Sequence, residues 1–396
     1  MTLNIMQASN QWATRPDDER FWTLDEMHQR TLSYREHSTE SLQLASDCRL
    51  TTNSRGIAMQ VGQVERVWTH AGNEADVGHY AFTQICRQLS APAGYLRQLS
   101  PALAVECLEH SRERDPAQDR QRNLLIDTTG IHRLRATTSD RYVRVWNHEL
   151  VEALQELQVD GWVVPPARPS GREAEGRTRI ATDKDCIDFG DSPLTVKPGD
   201  TIAPAGLYAS DHDMFAFLIN PRIEIDNGLS PSGMRRGTMI RQSEVGSCSI
   251  WKLDFLFDTV CGNHIVWDAR EVRETRVRHM GSAVEDNWVA MIRNITEDAE
   301  TSARQQEAEI RRAQEIVLGS GKEEIMALLF KNRWATKRVA GKAFDIAEDH
   351  SESHGNPHSL WGMVSGLTRL SQQTGYADDR AAMDRAAGKM LAHCLN

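Results

Sequence analysis

GTMIRQSEVGSCSIWKLDFLFD, residues 237–258, carries the clearest structural signal in the chain. Trp251, Leu253, Phe255 and Phe257 alternate with Lys252, Asp254, Leu256 and Asp258. Successive side chains of a strand point to opposite faces, so this alternation predicts a half-buried strand with one largely polar face. GTMIRQ, SEVGS and SIWKLDFLF together read as two antiparallel strands joined by a short connection. Upstream, MFAFLIN (Met214 to Asn220) is apolar on both faces and predicts a central strand. The whole stretch from Leu194 to Trp267 is therefore expected to be sheet-rich.

Working outward, the C-terminal side turns helical. Asn287 to Phe330 is rich in Ala, Glu, Arg and Gln, and reads as one long helix or as two broken at Gly319-Ser320-Gly321. EDHSESHGNPHSL (Glu348 to Leu360) reads as a polar loop. The last helix places Met383, Ala387, Met390, Leu391 and Cys394 on one face, which predicts a structural helix docked on the body.

On the N-terminal side, Thr23 and Glu26 form a capping-box pattern ahead of a helix from about Leu24 to Arg35. Shorter strands are expected within Gly56 to Trp68. Phe82, Ile85, Cys86 and Leu89 share one helical face, and Ser100-Pro101 starts another helix with Leu103, Cys107 and Leu108 toward the core. Strands at Asn123 to Asp127 and His132 to Ala136 flank a turn at Thr129-Gly130. Asn147 is placed to cap a helix carrying Leu150, Val151, Leu154 and Leu157.

The expected organisation is an N-terminal α+β region over 1–164, an exposed insertion or linker over 165–179, a sheet-rich central region over 180–286 and a helical region over 287–396. This is an α+β chain, with a central mainly antiparallel sheet flanked by N-terminal and C-terminal helices.

The chain has 396 residues, of which 26% are charged and 40% hydrophobic. That balance suits a globular protein with sizeable cores and excludes a wholly disordered one. Lys and Arg total 46 against 56 Asp and Glu, a formal charge of −10, and the pI is about 5.8. A generally basic, DNA-coating surface does not fit this charge, although a focused basic groove does. The 7 cysteines are scattered and include no C-x-x-C pair, so reduced thiols rather than a disulfide framework are expected. No apolar stretch is long enough to span a bilayer, and MTLNIMQASN has no basic region ahead of an apolar core. The expected location is the cytoplasm.

Two basic clusters are candidates for phosphate contact. Arg133, Arg135, Arg141 and Arg144 lie close together with Tyr142 and Trp146 interleaved. Arginine grips phosphate bidentately and aromatic rings stack on unpaired bases. The same residues also fit a structural reading, with the rings in the core and the guanidiniums paired to local acids. Arg235, Arg236, Arg241 and Lys252 form the second cluster, on the proposed sheet, where Gly233 and Gly237 would let the backbone approach a ligand. Its structural reading is a charged sheet edge.

Asp213, Cys261, His264 and His279 are the candidate metal ligands, because transition metals take carboxylate, thiolate and imidazole. Only Cys261 and His264 have ligand-like spacing, and a buried thiol with a hydrogen-bonded imidazole fits that spacing better. There is no G-x-S-x-G elbow, no phosphate-binding G-x-x-x-x-G-K-[ST] loop and no H-E-x-x-H. The residues therefore lean away from an enzyme, and no cofactor is expected.

Several separated phrases, in order, resemble the phage/plasmid-like protein family known as domain of unknown function 932. They are HYAFTQICRQLSAPAGYLRQL (His79 to Leu99), SDRYVRVWNHELVEAL (Ser139 to Leu154), SEVGSCSIWKLDFLFDTVCGNHIV (Ser243 to Val266), VRHMG (Val277 to Gly281), WGMVSGLTRLSQ (Trp361 to Gln372) and DRAAMDRAAGKML (Asp379 to Leu391). The chain departs from the family pattern at His264, where glycine is more usual. The resemblance implies an accessory protein of a phage, prophage or plasmid, working inside a bacterial host cell. It transfers no catalytic mechanism.

Three functions follow as expectations. The first is nucleic-acid binding, with single-stranded DNA in replication or recombination as the expected partner. The second is a metal-dependent hydrolase or nuclease. The third is an interaction protein that inhibits a host defence or repair factor, where an acidic surface would suit a DNA-binding target. A host or phage protein is thus an alternative partner, an oligomer is compatible with all three, and no membrane partner is expected.

Overall fold

The computed structural model describes residues 16–62, 74–165, 177–189, 195–204, 206–229, 233–258, 264–265, 275–373 and 377–395. The chain is α+β. Its strands are β1 Arg20–Phe21, β2 Ser38–Leu44, β3 Cys48–Asn53, β4 Gly56–Val61, β5 Glu74–Val77, β6 Gln121–Asp127, β7 Arg133–Ser139, β8 Arg179–Ile180, β9 Thr201–Ile202, β10 Leu207–Ala209, β11 Met214–Ile225, β12 Met234–Gln242, β13 Ile250–Asp258, β14 His264–Ile265 and β15 Thr275–Val277. Its helices are α1 Leu24–Glu36, α2 His79–Gln88, α3 Ala93–Leu96, α4 Pro101–Glu113, α5 Asn147–Glu156, α6 Val284–Arg293, α7 Ile295–Glu315, α8 Lys322–Lys331, α9 Lys337–Asp349, α10 Ser351–His354, α11 Leu360–Gln373 and α12 Ala377–Leu395.

Two large sheets take the role expected of one. The first runs β1-β10-β11-β12-β13-β14, with β15 also on β13, and every pairing is antiparallel. The second runs β2-β6-β7-β5-β4-β3 and is antiparallel except for β5 against β7. A small pair, β8-β9, stands apart.

The alternation in residues 250–257 sets the first sheet. Trp251, Leu253, Phe255 and Phe257 share a core with Phe215, Phe217, Ile219 and Met239. The opposite face is not half-exposed, as expected, but covered. Its Ala216, Leu218, Ile240 and Ile250 pack with Leu24 and Met27 of α1, Leu150 and Leu154 of α5, and Trp288 and Ile292 of α6. Met234 and Leu256 pack instead against α7, α8, α9, α11 and α12. Residues 1–164 therefore contribute to both sheets, because α1 and α5 serve the first one.

Local signals account for several helix starts. Thr23 Oγ1 accepts from the Glu26 amide at 3.1 Å, and the Glu26 carboxylate reaches back to the Trp22 amide at 2.8 Å. Ser100 Oγ accepts from the Leu103 amide at 3.4 Å, ahead of Pro101. That helix is rotated from the expected face. Ala104 and Leu108 are buried while Leu103 and Cys107 are exposed, so of the two i, i+4 stripes the one through Leu108 faces the core and the neighbouring one faces outward. The charged region after Trp267 breaks at Asn294 as well as at Gly319–Gly321.

Met383, Met390 and Leu391 of α12 are buried, as the periodicity predicts. Gly366 of α11 sits against the backbone of α9, and a Cβ there would lie 2.2 Å from the Ala343 carbonyl oxygen. Alanine is the better helix former by about 1 kcal/mol, but overpacking typically costs about 1–3 kcal/mol, and a rigid carbonyl cannot swing aside. Gly366→Ala should therefore lower the urea midpoint. Gly94→Ala, whose Cβ would meet nothing within 4 Å, should leave it unchanged or raised. Equal shifts for the two variants would remove the close α9–α11 approach from the account.

The six described cysteines are free thiols, and Cys261 lies outside the described residues. Among the described residues no helix is long and apolar enough to cross a membrane.

Candidate functional site

The connection from β12 to β13, Ser243 onward, leaves the first sheet and lands on the second. Val245 is buried there with Leu125, Ala136 and Trp146. A loop entering an apolar contact must satisfy its own polar groups, and side chains from α2 and from the segment after β7 do this. Gln84 donates to the Val245 carbonyl at 2.8 Å and accepts from the Thr137 amide at 2.8 Å. Tyr142 Oη donates to the Ser243 carbonyl at 2.8 Å, and Arg144 Nη1 donates to the Glu244 carbonyl.

Glu244 is the centre of this clasp, with a side chain that is 0% exposed. Its Oε2 lies 2.9 Å from Arg135 Nη2, and its Oε1 accepts from the Asn147 amide at 2.9 Å. Asn147 is thus the first residue of α5 rather than its cap. The cap comes from Glu244, whose charge also suits the positive end of the helix dipole. Arg135 further donates to Ser38 Oγ at 2.8 Å and to the Asp211 carbonyl at 2.6 Å. Arg144 Nε donates to Glu40 Oε1 at 2.7 Å.

Most of the first basic cluster is engaged inside the chain. The Trp146 ring is buried and lies under the Arg35 and Arg144 guanidiniums, 4.3 and 5.7 Å from its centroid. Tyr142 stacks on His279 with centroids 4.8 Å apart, and burial raises its phenol far above the ordinary range. Arg141 is exposed. Arg133 is half-exposed, with Nη1 3.6 Å from Asp211 Oδ2.

The second cluster is buried throughout. Arg235 faces Glu224 at 3.6 Å, and Arg236 faces Asp254 at 3.7 Å from the opposite side of β12. Lys252 Nζ lies 3.1 Å from both Asp254 and Asp298, the latter on α7. Arg241 sits over the Phe215 ring, 4.9 Å from its centroid. Gly237 makes room for a side chain rather than a ligand, since a Cβ there would be 2.2 Å from the Phe255 ring.

The candidate metal ligands take other partners. Asp213 accepts from Ser210 Oγ at 2.8 Å inside the β10–β11 turn, and His279 Nδ1 is 3.1 Å from the Val143 carbonyl. Cys261 and the side chain of His264 lie outside the described residues. Among the described residues no group of three or more His, Cys, Asp or Glu is placed to hold a metal ion.

Burial, the largest cause, holds the His279 imidazole down to about 4, against about 6.5 in an unfolded chain. The unfolded state then binds more protons between those values, so stability rises with pH through that window. The contribution is complete above about pH 6.5 and is lost as pH falls toward 4. His79 and His148 shift in the same direction, so the test is a difference. The melting temperature of His279→Gln should fall less between pH 7 and pH 4.5 than that of the parent. Parallel curves would remove His279 from the acid response.

A second feature escaped the sequence reading. A trough of about 550 Å³ runs between α5 and α6. From α5 and its C-terminal end it is lined by Glu149, Glu152, Ala153, Glu156 and Leu157. From α6 it is lined by Glu285, Trp288, Val289, Ile292 and Arg293. Each set follows i, i+3, i+4, i+7, i+8 spacing, which is one whole face of a helix. With Asp160, the lining carries five carboxylates against Arg293. Leu157, Trp288 and Ile292 are buried in its floor, whereas Val159 at its end is 83% exposed. Glu149, Glu152 and Glu156 were visible in the sequence as the polar side of a helix, and only the arrival of α6 turns that side into a wall. No protein-family model, no curated protein and no solved structure matches the chain.

Proposed function

We propose that the chain is an interaction protein of a phage, prophage or plasmid that captures a basic segment of a protein partner. The observation that carries this reading is the acid-rimmed trough between α5 and α6. Nucleic-acid-binding proteins present clustered Lys and Arg, so a host defence or repair factor that binds DNA is the fitting class of target. The resemblance to the phage/plasmid-like family supports the mobile-element setting. The overall charge of −10 favours such a partner over a phosphate backbone.

Direct binding of single-stranded DNA is the competing reading, and it now rests on Arg133 and Arg141, the exposed members of the first cluster. Anisotropy separates the two. A labelled Lys/Arg-rich peptide, single-stranded DNA and duplex DNA are each titrated with the full chain across a salt series. The peptide should bind, more weakly as salt rises, and neither DNA should bind at low salt. DNA binding without peptide binding would overturn the proposal and make Arg133→Ala with Arg141→Ala the next variant.

A further inference from the structure

We infer that the trough takes one amphipathic α-helix, with an apolar stripe toward Trp288 and Lys or Arg on its flanks. This rests on the protein-capture reading above and specifies the shape of the captured segment. The argument starts from the walls. Both are helices of 10 residues, roughly 15 Å long at 1.5 Å per residue, and both present a full face to the same space. A third helix of similar length packs into such a space at the usual interaxial distance of about 8–10 Å.

An extended segment would fit less well. It sends alternate side chains to opposite sides, so half would leave the trough. A helix instead directs positions i, i+3, i+4 and i+7 into a groove of this kind. The half-buried Ala153 and Val289, seated over Leu157, Trp288 and Ile292, then meet the stripe, and the exposed Val159 extends the contact at one end. Glu152 and Glu156 stand exposed one turn apart on the α5 wall, with Glu285 on the α6 wall. Basic side chains on both flanks of the incoming helix would face these carboxylates. The five carboxylates, set against Arg293 alone in the lining, select against an acidic helix.

The test uses the full chain and two labelled peptides of about 14 residues, built from Leu, Ala and Lys. One carries Leu at i, i+3, i+4 and i+7; the other has the same composition scrambled. The patterned peptide should bind roughly tenfold tighter and gain helical circular dichroism on binding. Glu152→Lys with Glu156→Lys, both exposed, should keep the parent melting temperature and lose roughly tenfold or more in affinity. Equal binding of the two peptides, both weakened by the charge reversal, would overturn the helix while leaving the protein-capture reading in place. Binding of neither peptide would overturn that reading itself. Patterned binding that ignores the charge reversal would overturn the assignment to this trough.

Discussion

Arg135→Ala should destabilise the protein by about 3–5 kcal/mol, the range for removing one partner of a buried ion pair. The Arg135 and Glu244 side chains are 3% and 0% exposed, so water cannot replace the lost guanidinium. The Glu244 carboxylate would keep its bond from the Asn147 amide but stand otherwise uncompensated in the seam between the two sheets. Arg135→Lys should recover only part of the loss. A lysine ammonium cannot reproduce the fork that now reaches Glu244, Ser38 Oγ and the Asp211 carbonyl together. Arg135→Met with Glu244→Gln should be milder than Arg135→Ala alone, because the buried charge is gone. Urea unfolding of these chains reads the order directly. A midpoint for Arg135→Ala within error of the parent would mean that the clasp does not hold the sheets together.

The same clasp explains what could and could not be read from the sequence. The strand at 250–257 was legible because its signal is local, and the Thr23–Glu26 box and the α12 face were legible for the same reason. The fate of the arginines was not local. Arg135 and Glu244 are 109 positions apart, and Lys252 and Asp298 are 46 apart. A guanidinium beside aromatic rings looks the same in sequence whether it awaits a phosphate or already holds a carboxylate. Lys252 and Asp254 likewise read as a wet face, although α7 lies over them. The α5 glutamates lie outside the apolar face that marks that helix in the sequence, and they become part of a trough only because α6 places Glu285 and Trp288 across from them.

Met390→Asp should cost several kcal/mol, as expected when an unpaired charge is forced into apolar surroundings. Met390 is 0% exposed in a cluster with Leu360, Trp361, Met363, Val364 and Leu367 of α11. An ionised carboxylate there has two outcomes. The helix undocks to hydrate it, or it takes up a proton and stays. The second outcome leaves a signature in pH. A folded-state pKa raised above about 3.9 means that the folded state binds the extra proton more tightly than the unfolded state. The deficit relative to the parent is then largest above that raised pKa and shrinks as pH falls through it. Thermal melts of both chains at pH 7 and pH 5 measure the change in deficit. Met390→Leu is the packing control and should cost less than about 1.5 kcal/mol, because volume is nearly kept. A melting temperature for Met390→Asp equal to that of Met390→Leu at both pH values would take α12 out of the core and leave its Met and Leu face without a structural role.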